Sequence, residues 1–231
     1  MRAGRMTKAQ QNALLNAGPR YLLKYSQNMF ESGNEGYDFI SGALKDNRKI
    51  IAEIGFGNGE ALALMAEKNC DITYIGIEVY PPGVGNLLKL IDEKKLENIR
   101  IVNHDAVEVI EALKGKFCFN GFHIFFPDPW PKKKHNKRRI INPGFTSSLI
   151  DILSPGGYIY AVTDWEDYGV QMQKVFSSFT LLESPFSGFA SRGEGSPILP
   201  WRPETRFEAK GYSKNHNIYE SFFIKKPGKP L

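Results

Sequence analysis

Lys49-Ile50-Ile51-Ala52-Glu53-Ile54-Gly55-Phe56-Gly57-Asn58-Gly59-Glu60 carries the reading that decides the fold. Its first six residues are a short apolar run rich in β-branched side chains, the pattern of a buried strand. Gly55, Gly57 and Gly59 then allow a tight turn and let a ligand press against the main chain. Glu60–Lys68 follows as a helix with Ala and Leu on one face. The six-residue dinucleotide fingerprint would carry glycine at position 60, where Glu60 stands. A carboxylate at a helix N-terminus suits the helix dipole but repels a pyrophosphate. The loop therefore favours a ligand without phosphates.

Outward from this stretch, strands and helices alternate. Ile72–Ile77 is a predicted strand, then a Pro-Gly turn and a helix through 87–94. Residues 99–103 form a strand and 105–113 a helix capped by Asp105. An apolar strand at 121–126 runs into Pro127-Asp128-Pro129-Trp130. Asn142-Pro143 places a cap residue before a proline at the first helical position. That helix ends at Ser154-Pro155-Gly156-Gly157, before a strand at 158–162 and another helix from Asp164. A last strand is expected at 217–224. Towards the N-terminus, Thr7 and Gln10 have capping-box spacing, and their helical pattern stops at Gly18-Pro19. Residues 28–47, with glycines at 33, 36 and 42, read as connection, and 185–203 as a long loop. The alternation implies parallel pairing with crossover helices, hence an α/β, doubly wound, mostly parallel sheet. Ligands of such sheets bind beyond the carboxyl ends of the strands.

The chain has 231 residues, and Lys+Arg 30 against Asp+Glu 25 gives a net charge of +5. Residues 132–139 (KKKHNKRR) hold six of the basic residues and no acid; without them the balance is 24 against 25. The protein is thus a nearly neutral body with one concentrated positive feature, which excludes an evenly cationic surface and a disordered polycation. An apolar content of 42% is enough for a core. No apolar run reaches the ~18 residues of a membrane helix. The N-terminal residues lack the apolar core of a secretion signal. Cys70 and Cys118 stand without paired spacing, which excludes a disulfide framework or a zinc site and fits a cytoplasmic location with no metal.

Three acids fall at the carboxyl ends of the predicted strands. Glu53 precedes the glycine loop, and Asp105 follows the third strand, where a side chain can meet an adenine edge. Glu78 ends the second strand, where an acid can take a ribose diol. S-adenosylmethionine fits this set: it has an adenine, a ribose, an ammonium and a sulfonium, and no phosphate.

Phe126-Pro127-Asp128-Pro129-Trp130-Pro131 is the most specific motif. Its three prolines leave the turn few alternatives and fix Asp128 at the sheet's carboxyl edge, with an indole two residues away. The basic run follows immediately, so a polyanionic substrate is the better reading for Lys132, Lys133, Lys134, His135, Asn136, Lys137, Arg138 and Arg139. Six phosphate contacts would give a logarithmic salt slope on the order of −4 to −5.

Together these segments are similar to the tRNA (guanine-N7-)-methyltransferases of the bacterial type. The resemblance rests on 53–60, Gly76-Ile77-Glu78-Val79, His104-Asp105-Ala106, 125–135, Thr163-Asp164-Trp165 and 202–208, in the family's order across about residues 5 to 224. Tyr80-Pro81 departs from the His-Arg that the family often carries. The resemblance implies a Rossmann-like, seven-stranded sheet with helices on both faces and an antiparallel strand among the last. It implies one methyltransferase domain over 1–231, an N-terminal helical extension at 1–24 and a long loop with a substrate-contact motif at 185–213. The implied reaction is methyl transfer from S-adenosylmethionine to N7 of guanine 46 in the variable loop of tRNA, by a monomer or homodimer away from membranes. Glu53, Gly55, Gly57, Gly59, Glu78, Asp105 and Asp128 match the cofactor site, and Asp128 also matches the residue proposed as catalytic. Lys132, Asp164, Thr205, Arg206, Phe207 and Glu208 match tRNA-substrate contacts.

Guanine N7 carries a lone pair at neutral pH, so its attack needs no general base. The scattered His104, His123, His135 and His216 are accordingly read as non-catalytic. Three other readings compete: a nucleotide-dependent dehydrogenase, opposed by Glu60; an RNA-binding module, which leaves the loop acids unexplained; and a methyltransferase acting on another nucleobase position.

Overall fold

A computed structural model describes residues 5–190 and 217–227. The chain divides into two compact units, Met1–Phe117 and Cys118–Leu231.

The first unit begins with α1 (Lys8–Asn16), where the predicted capping box forms in full: Thr7 accepts from the Gln10 amide, and the Gln10 side chain accepts from the Thr7 amide. α1 stops just before Gly18-Pro19, as expected, but Pro19 opens a new helix rather than a loop. It sits in the first turn of a short second helix, α2 (Gly18–Tyr21), where its missing N–H is harmless. The strands are β1 (Leu22–Leu23), β2 (Lys49–Ile54), β3 (Ile72–Ile77) and β4 (Ile99–Val102), in the order β1-β4-β3-β2, all parallel. In β2 and β3 every residue after the first is buried. Successive side chains point to opposite faces, so both faces of these strands are covered, as parallel sheets require.

The helices are α3 (Glu35–Lys45), α4 (Glu60–Lys68), α5 (Pro81–Lys94) and α6 (Ala106–Leu113). Two depart from expectation. Residues 28–47, read as connection, contain α3. Gly36 is a packing position: Gly36, Ile40 and Ala43 form one buried stripe, and a Cβ at Gly36 would lie 2.6 Å from the Met29 carbonyl oxygen. The Pro-Gly turn before 87–94 is the first turn of α5, because Pro81 and Pro82 pre-set helical φ at positions whose N–H needs no partner. α1 packs on α5, and Gly85 permits it: a Cβ there would meet Met6 and Gln10 at 2.8 and 2.9 Å.

The second unit holds β5 (Phe119–Phe125), β6 (Leu153–Thr163), β7 (Leu182–Glu183) and β8 (Tyr219–Lys225), in the order β5-β6-β8-β7. β5 and β6 are parallel, and β8 is antiparallel to both β6 and β7. Ser154-Pro155-Gly156-Gly157 lies inside β6, where the register shifts between Phe119↔Leu153 and Gly121↔Tyr158. A 3-10 helix (Lys133–Arg138), α7 (Pro143–Asp151) and α8 (Glu166–Ser177) complete this unit. Asn142 caps α7 by accepting from the Phe145 amide at 3.1 Å.

The α/β, mostly parallel class with an antiparallel late strand is therefore as expected. The described residues hold eight strands rather than the seven the resemblance implies; the two-residue β1 and β7 join the six read from the pattern. No helix among the described residues is long and apolar enough to cross a membrane.

Candidate active site

In the first unit, β2 delivers its chain into a loop whose three glycines are all left-handed, with φ of 74°, 57° and 74° at Gly55, Gly57 and Gly59. Gly59 occupies the cap position of α4, and a Cβ there would lie 2.6 Å from Leu87 Cβ. Gly55 borders open space, with no atom within 4 Å of where a Cβ would stand. α5 presses on the loop through Gly83, whose hypothetical Cβ lies 2.0 Å from the Gly57 carbonyl oxygen. Gly83 was not among the expected site residues. Its signal was its place in Pro81-Pro82-Gly83, one helix N-terminus after the second strand.

Glu78 ties the loop to β3. Its Oε2 accepts from the Gly57 amide at 2.8 Å, and its Oε1 accepts from the Val79 and Tyr80 amides at 2.8 and 2.9 Å. Asn103 donates to the Glu78 carbonyl at 2.6 Å, joining the end of β4 to the end of β3. Of the four lone-pair positions on the Glu78 carboxylate, three are thus engaged by backbone and one on Oε2 remains. Asp105 is exposed at the start of α6 and caps it through Oδ1 and the Val107 amide at 2.8 Å. Next to it, His104 stacks on Tyr25 at 3.6 Å and shares a hydrogen bond with Glu108 at 2.7 Å.

Glu53 is only 2% exposed, and its Oε2 has no hydrogen-bond partner among the described residues. Burial, and secondarily the Glu78 charge, push its carboxyl up to about 8. Raised in the folded state, this pKa contributes stability that is full below the ordinary carboxylate range and lost as pH rises towards 8. Glu53→Gln should therefore flatten the decline of unfolding free energy between about pH 5 and 8. Urea unfolding at several pH values measures it, and an unchanged slope would contradict the assignment. His123 acts with the opposite sign, between about 3 and its ordinary 6.5, so it overlaps the lower part of that window. It is buried, hydrogen-bonded to the Tyr158 hydroxyl at 2.9 Å and held by burial at about 3. Its contribution cancels in the comparison.

In the second unit, β5 ends at Phe125, and the Phe126 amide still donates to Val162 O at 2.7 Å. The Pro127-Asp128-Pro129 turn is then bracketed by two left-handed aromatic residues, Phe126 at φ 50° and Trp130 at φ 43°. A non-glycine residue in that region costs roughly 1–2 kcal/mol, so the turn must be held by its surroundings. Asp128 is exposed at its apex. The Trp130 ring lies under the Arg138 guanidinium at 4.9 Å, with His135 edge-on at 6.0 Å. The His135 amide donates to the Lys132 carbonyl at 2.7 Å and the Arg139 amide to the Asn136 carbonyl at 3.0 Å, which sets the 3-10 helix directly after the turn. Thr163 is buried and accepts from the Trp165 amide at 3.2 Å, shaping the half-buried Asp164 position.

Lys132, Lys133, Lys134, Lys137 and Arg138 are exposed, and His135 and Asn136 half-buried. Arg139 is different. It was expected to contact a polyanion with the rest of the run, but it is 1% exposed and donates inward to Pro129, Gln171 and Asp167. A buried guanidinium committed to three protein acceptors does not face a phosphate. Thr205, Arg206, Phe207, Glu208 and His216 lie outside the described residues.

The geometry defines a class: a glycine loop with acidic strand ends, suited to a cationic ligand with hydroxyls. Residues 47–221 match the family model described as "Putative methyltransferase". The 16S rRNA methyltransferase KamB has a similar structure, with a TM-score of 0.58 at 10% identity, covering 81% of this chain and 93% of that one. The 30S ribosomal A1408 methyltransferase from an uncultured bacterium gives 0.52 at 19%, covering 81% and 92%. At those identities the likeness establishes the methyltransferase fold alone. Sequence relatives go further. A Ralstonia pickettii protein named tRNA (guanine-N(7)-)-methyltransferase is 44% identical over 97% of this chain and 82% of its own length. Proteins of the same name from Chromobacterium violaceum and Neisseria meningitidis serogroup B are 42% and 41% identical, covering 98% and 96% of this chain and 94% and 88% of theirs. The chain belongs to the tRNA (guanine-N(7)-)-methyltransferase family.

Proposed function

We propose that this protein methylates N7 of guanine 46 in the variable loop of tRNA, with S-adenosylmethionine as its cofactor. The observation that carries the reading is the tRNA (guanine-N(7)-)-methyltransferase name shared by relatives 41–44% identical over nearly the whole chain. The fit of the cofactor is supported by the unpartnered, buried Glu53 Oε2 and the open space at Gly55. Glu53 is suited to an ammonium, the remaining lone pair of Glu78 to a ribose hydroxyl, and Asp105 to an adenine edge. Gly55, Gly57 and Gly59 give main-chain access. Bound there, S-adenosylmethionine supplies an electrophilic methyl group on a positively charged sulfur.

The chain's own task is positioning, since N7 attacks without losing a proton. Holding reacting atoms in contact supplies several kcal/mol of barrier lowering. Asp128 is the proposed catalytic residue, with a further contact to the cofactor. Its carboxylate accepts from guanine N1–H and the exocyclic amine, which distinguishes guanine from adenine. It also stabilises the positive charge that moves onto the base. The base leaves its stack to react, and Trp130 offers a face to receive it. Asp164, Lys132 and 205–208 are proposed substrate contacts. Lys133, Lys134, Lys137 and Arg138, with His135 and Asn136, are proposed to hold the RNA backbone.

With Arg139 withdrawn, five exposed cations remain in the run, and the expected salt slope is about −3.5 to −4.5. Replacing Lys132, Lys133, Lys134 and Lys137 by glutamine should weaken tRNA binding and flatten that slope while leaving cofactor affinity intact. Filter binding across a salt series measures it, and an unchanged slope would remove the run from the interface. The reaction itself is tested by incubating the protein with labelled S-adenosylmethionine and bulk tRNA, then analysing nucleosides. Label in 7-methylguanosine supports the reading; label only in another nucleoside favours the competing methyltransferase reading.

A further inference from the structure

We infer that Arg139 is a positioning residue for methyl transfer, a buried fork that holds the Asp128 turn in its strained shape. The inference rests on the proposed catalytic role of Asp128. The turn has little means of fixing itself: Pro127 and Pro129 have no N–H, and Phe126 and Trp130 stand in left-handed backbone. Arg139 supplies the missing donor from outside, its Nε donating to the Pro129 carbonyl at 2.8 Å. That carbonyl belongs to the peptide bond leading into Trp130.

The same guanidinium is anchored on α8 at two sites one turn apart. Nη1 donates to Gln171 Oε1 at 2.6 Å and Nη2 to Asp167 Oδ2 at 2.7 Å. Its plane lies over the Tyr168 ring at 4.7 Å. Tyr168 and Gln171 in turn grip the segment that follows Arg139: the Tyr168 hydroxyl accepts from the Ile141 amide at 3.1 Å, and Gln171 Nε2 donates to the Ile141 carbonyl at 3.2 Å. Three acceptors spread around one buried side chain suit the rigid fork of arginine. A lysine ammonium, as a point charge on a flexible stem, cannot meet them together. The basic run therefore divides: its exposed members are available to RNA, and its last member braces the turn.

The test uses full-length Arg139→Lys and Arg139→Met, checked for wild-type circular dichroism, against Asp128→Asn. Single-turnover methyl transfer at saturating cofactor and tRNA should fall by about 100-fold, the scale of a misplaced reacting group. Affinity for tRNA and its salt slope should stay as in the wild type. Asp128→Asn combined with Arg139→Lys should be no slower than Asp128→Asn alone, because the brace acts through that carboxylate. A wild-type rate in the Arg139 variants, a tRNA affinity lost with a shallower salt slope, or multiplied losses in the double variant would overturn the inference. Should the Arg139 variants not fold, Asp167→Asn with Gln171→Ala removes both anchors from the surface of α8. A reduced rate with unchanged tRNA affinity supports the brace, and an unchanged rate overturns it. A wild-type rate in Asp128→Asn alone identifies the separate failure of the Asp128 reading.

Discussion

Asp128→Asn should lower single-turnover methyl transfer by on the order of 10²–10³, the usual loss when one preorganised electrostatic group is removed from a reacting centre. The substitution keeps size and shape. It removes the negative charge proposed to offset the cation forming on guanine, and it turns one acceptor into a donor that would face the donors of the base. Asp128 is exposed, and the Arg139 bond to the Pro129 carbonyl of its turn is untouched, so the fold should lose nothing measurable. Binding of tRNA should persist, since the exposed cations of the 3-10 helix are untouched. A loss confined to the chemical step marks an interaction made in the transition state. A near-normal rate would sink the assignment of Asp128.

Gly83→Ala should have a comparably large effect by a different route. The added Cβ would stand 2.0 Å from the Gly57 oxygen and 3.0 Å from its carbonyl carbon, both main-chain atoms that no rotamer change can move aside. Either the start of α5 or the glycine loop must shift. A shift of the loop also breaks the hydrogen bond from the Gly57 amide to Glu78. Overpacking of this kind costs about 1–3 kcal/mol of stability, and cofactor binding should fall below detection by calorimetry. Gly42→Ala provides the opposite case. Gly42 lies in α3 with ordinary backbone and nothing within 4 Å of its hypothetical Cβ. That substitution should stabilise by about 0.4–1 kcal/mol through the unfolded chain. Wild-type cofactor affinity in Gly83→Ala would contradict the close approach of loop and helix.

The alternation of strands and helices was legible because local signals agree with tertiary structure in those segments. Thr7, Asp105 and Asn142 cap the helices their positions announce. β2, β3 and α4 fall where apolar pattern and glycines place them. Glycine misled where it serves packing. Gly36 sits against the Met29 carbonyl in α3, a contact that no local pattern encodes. Proline misled at 81–83, where two prolines and a glycine begin a helix instead of a turn. β1 and β7 are two residues each, too short to show any period.

The candidate site was legible as residue types and less so as environments. Acids at strand ends could be seen, but not that Glu53 is buried while Asp105 is exposed. Nor could the sequence reveal that Glu78 spends three acceptor positions on backbone amides. Arg139 shows the limit most sharply. In composition it is one more cation in a basic run. Its acceptors on α8 lie 28 and 32 residues further along the chain, and only the fold brings them to it.

The central claim is attack by one nitrogen at one position of tRNA. It is tested most directly with a synthetic tRNA carrying 7-deazaguanosine at position 46, in which a carbon replaces N7 and the Watson–Crick edge is unchanged. Methyl incorporation from labelled S-adenosylmethionine should disappear while this tRNA still binds and competes with the unmodified one. Incorporation at the unmodified level would contradict methylation of guanine 46 at N7.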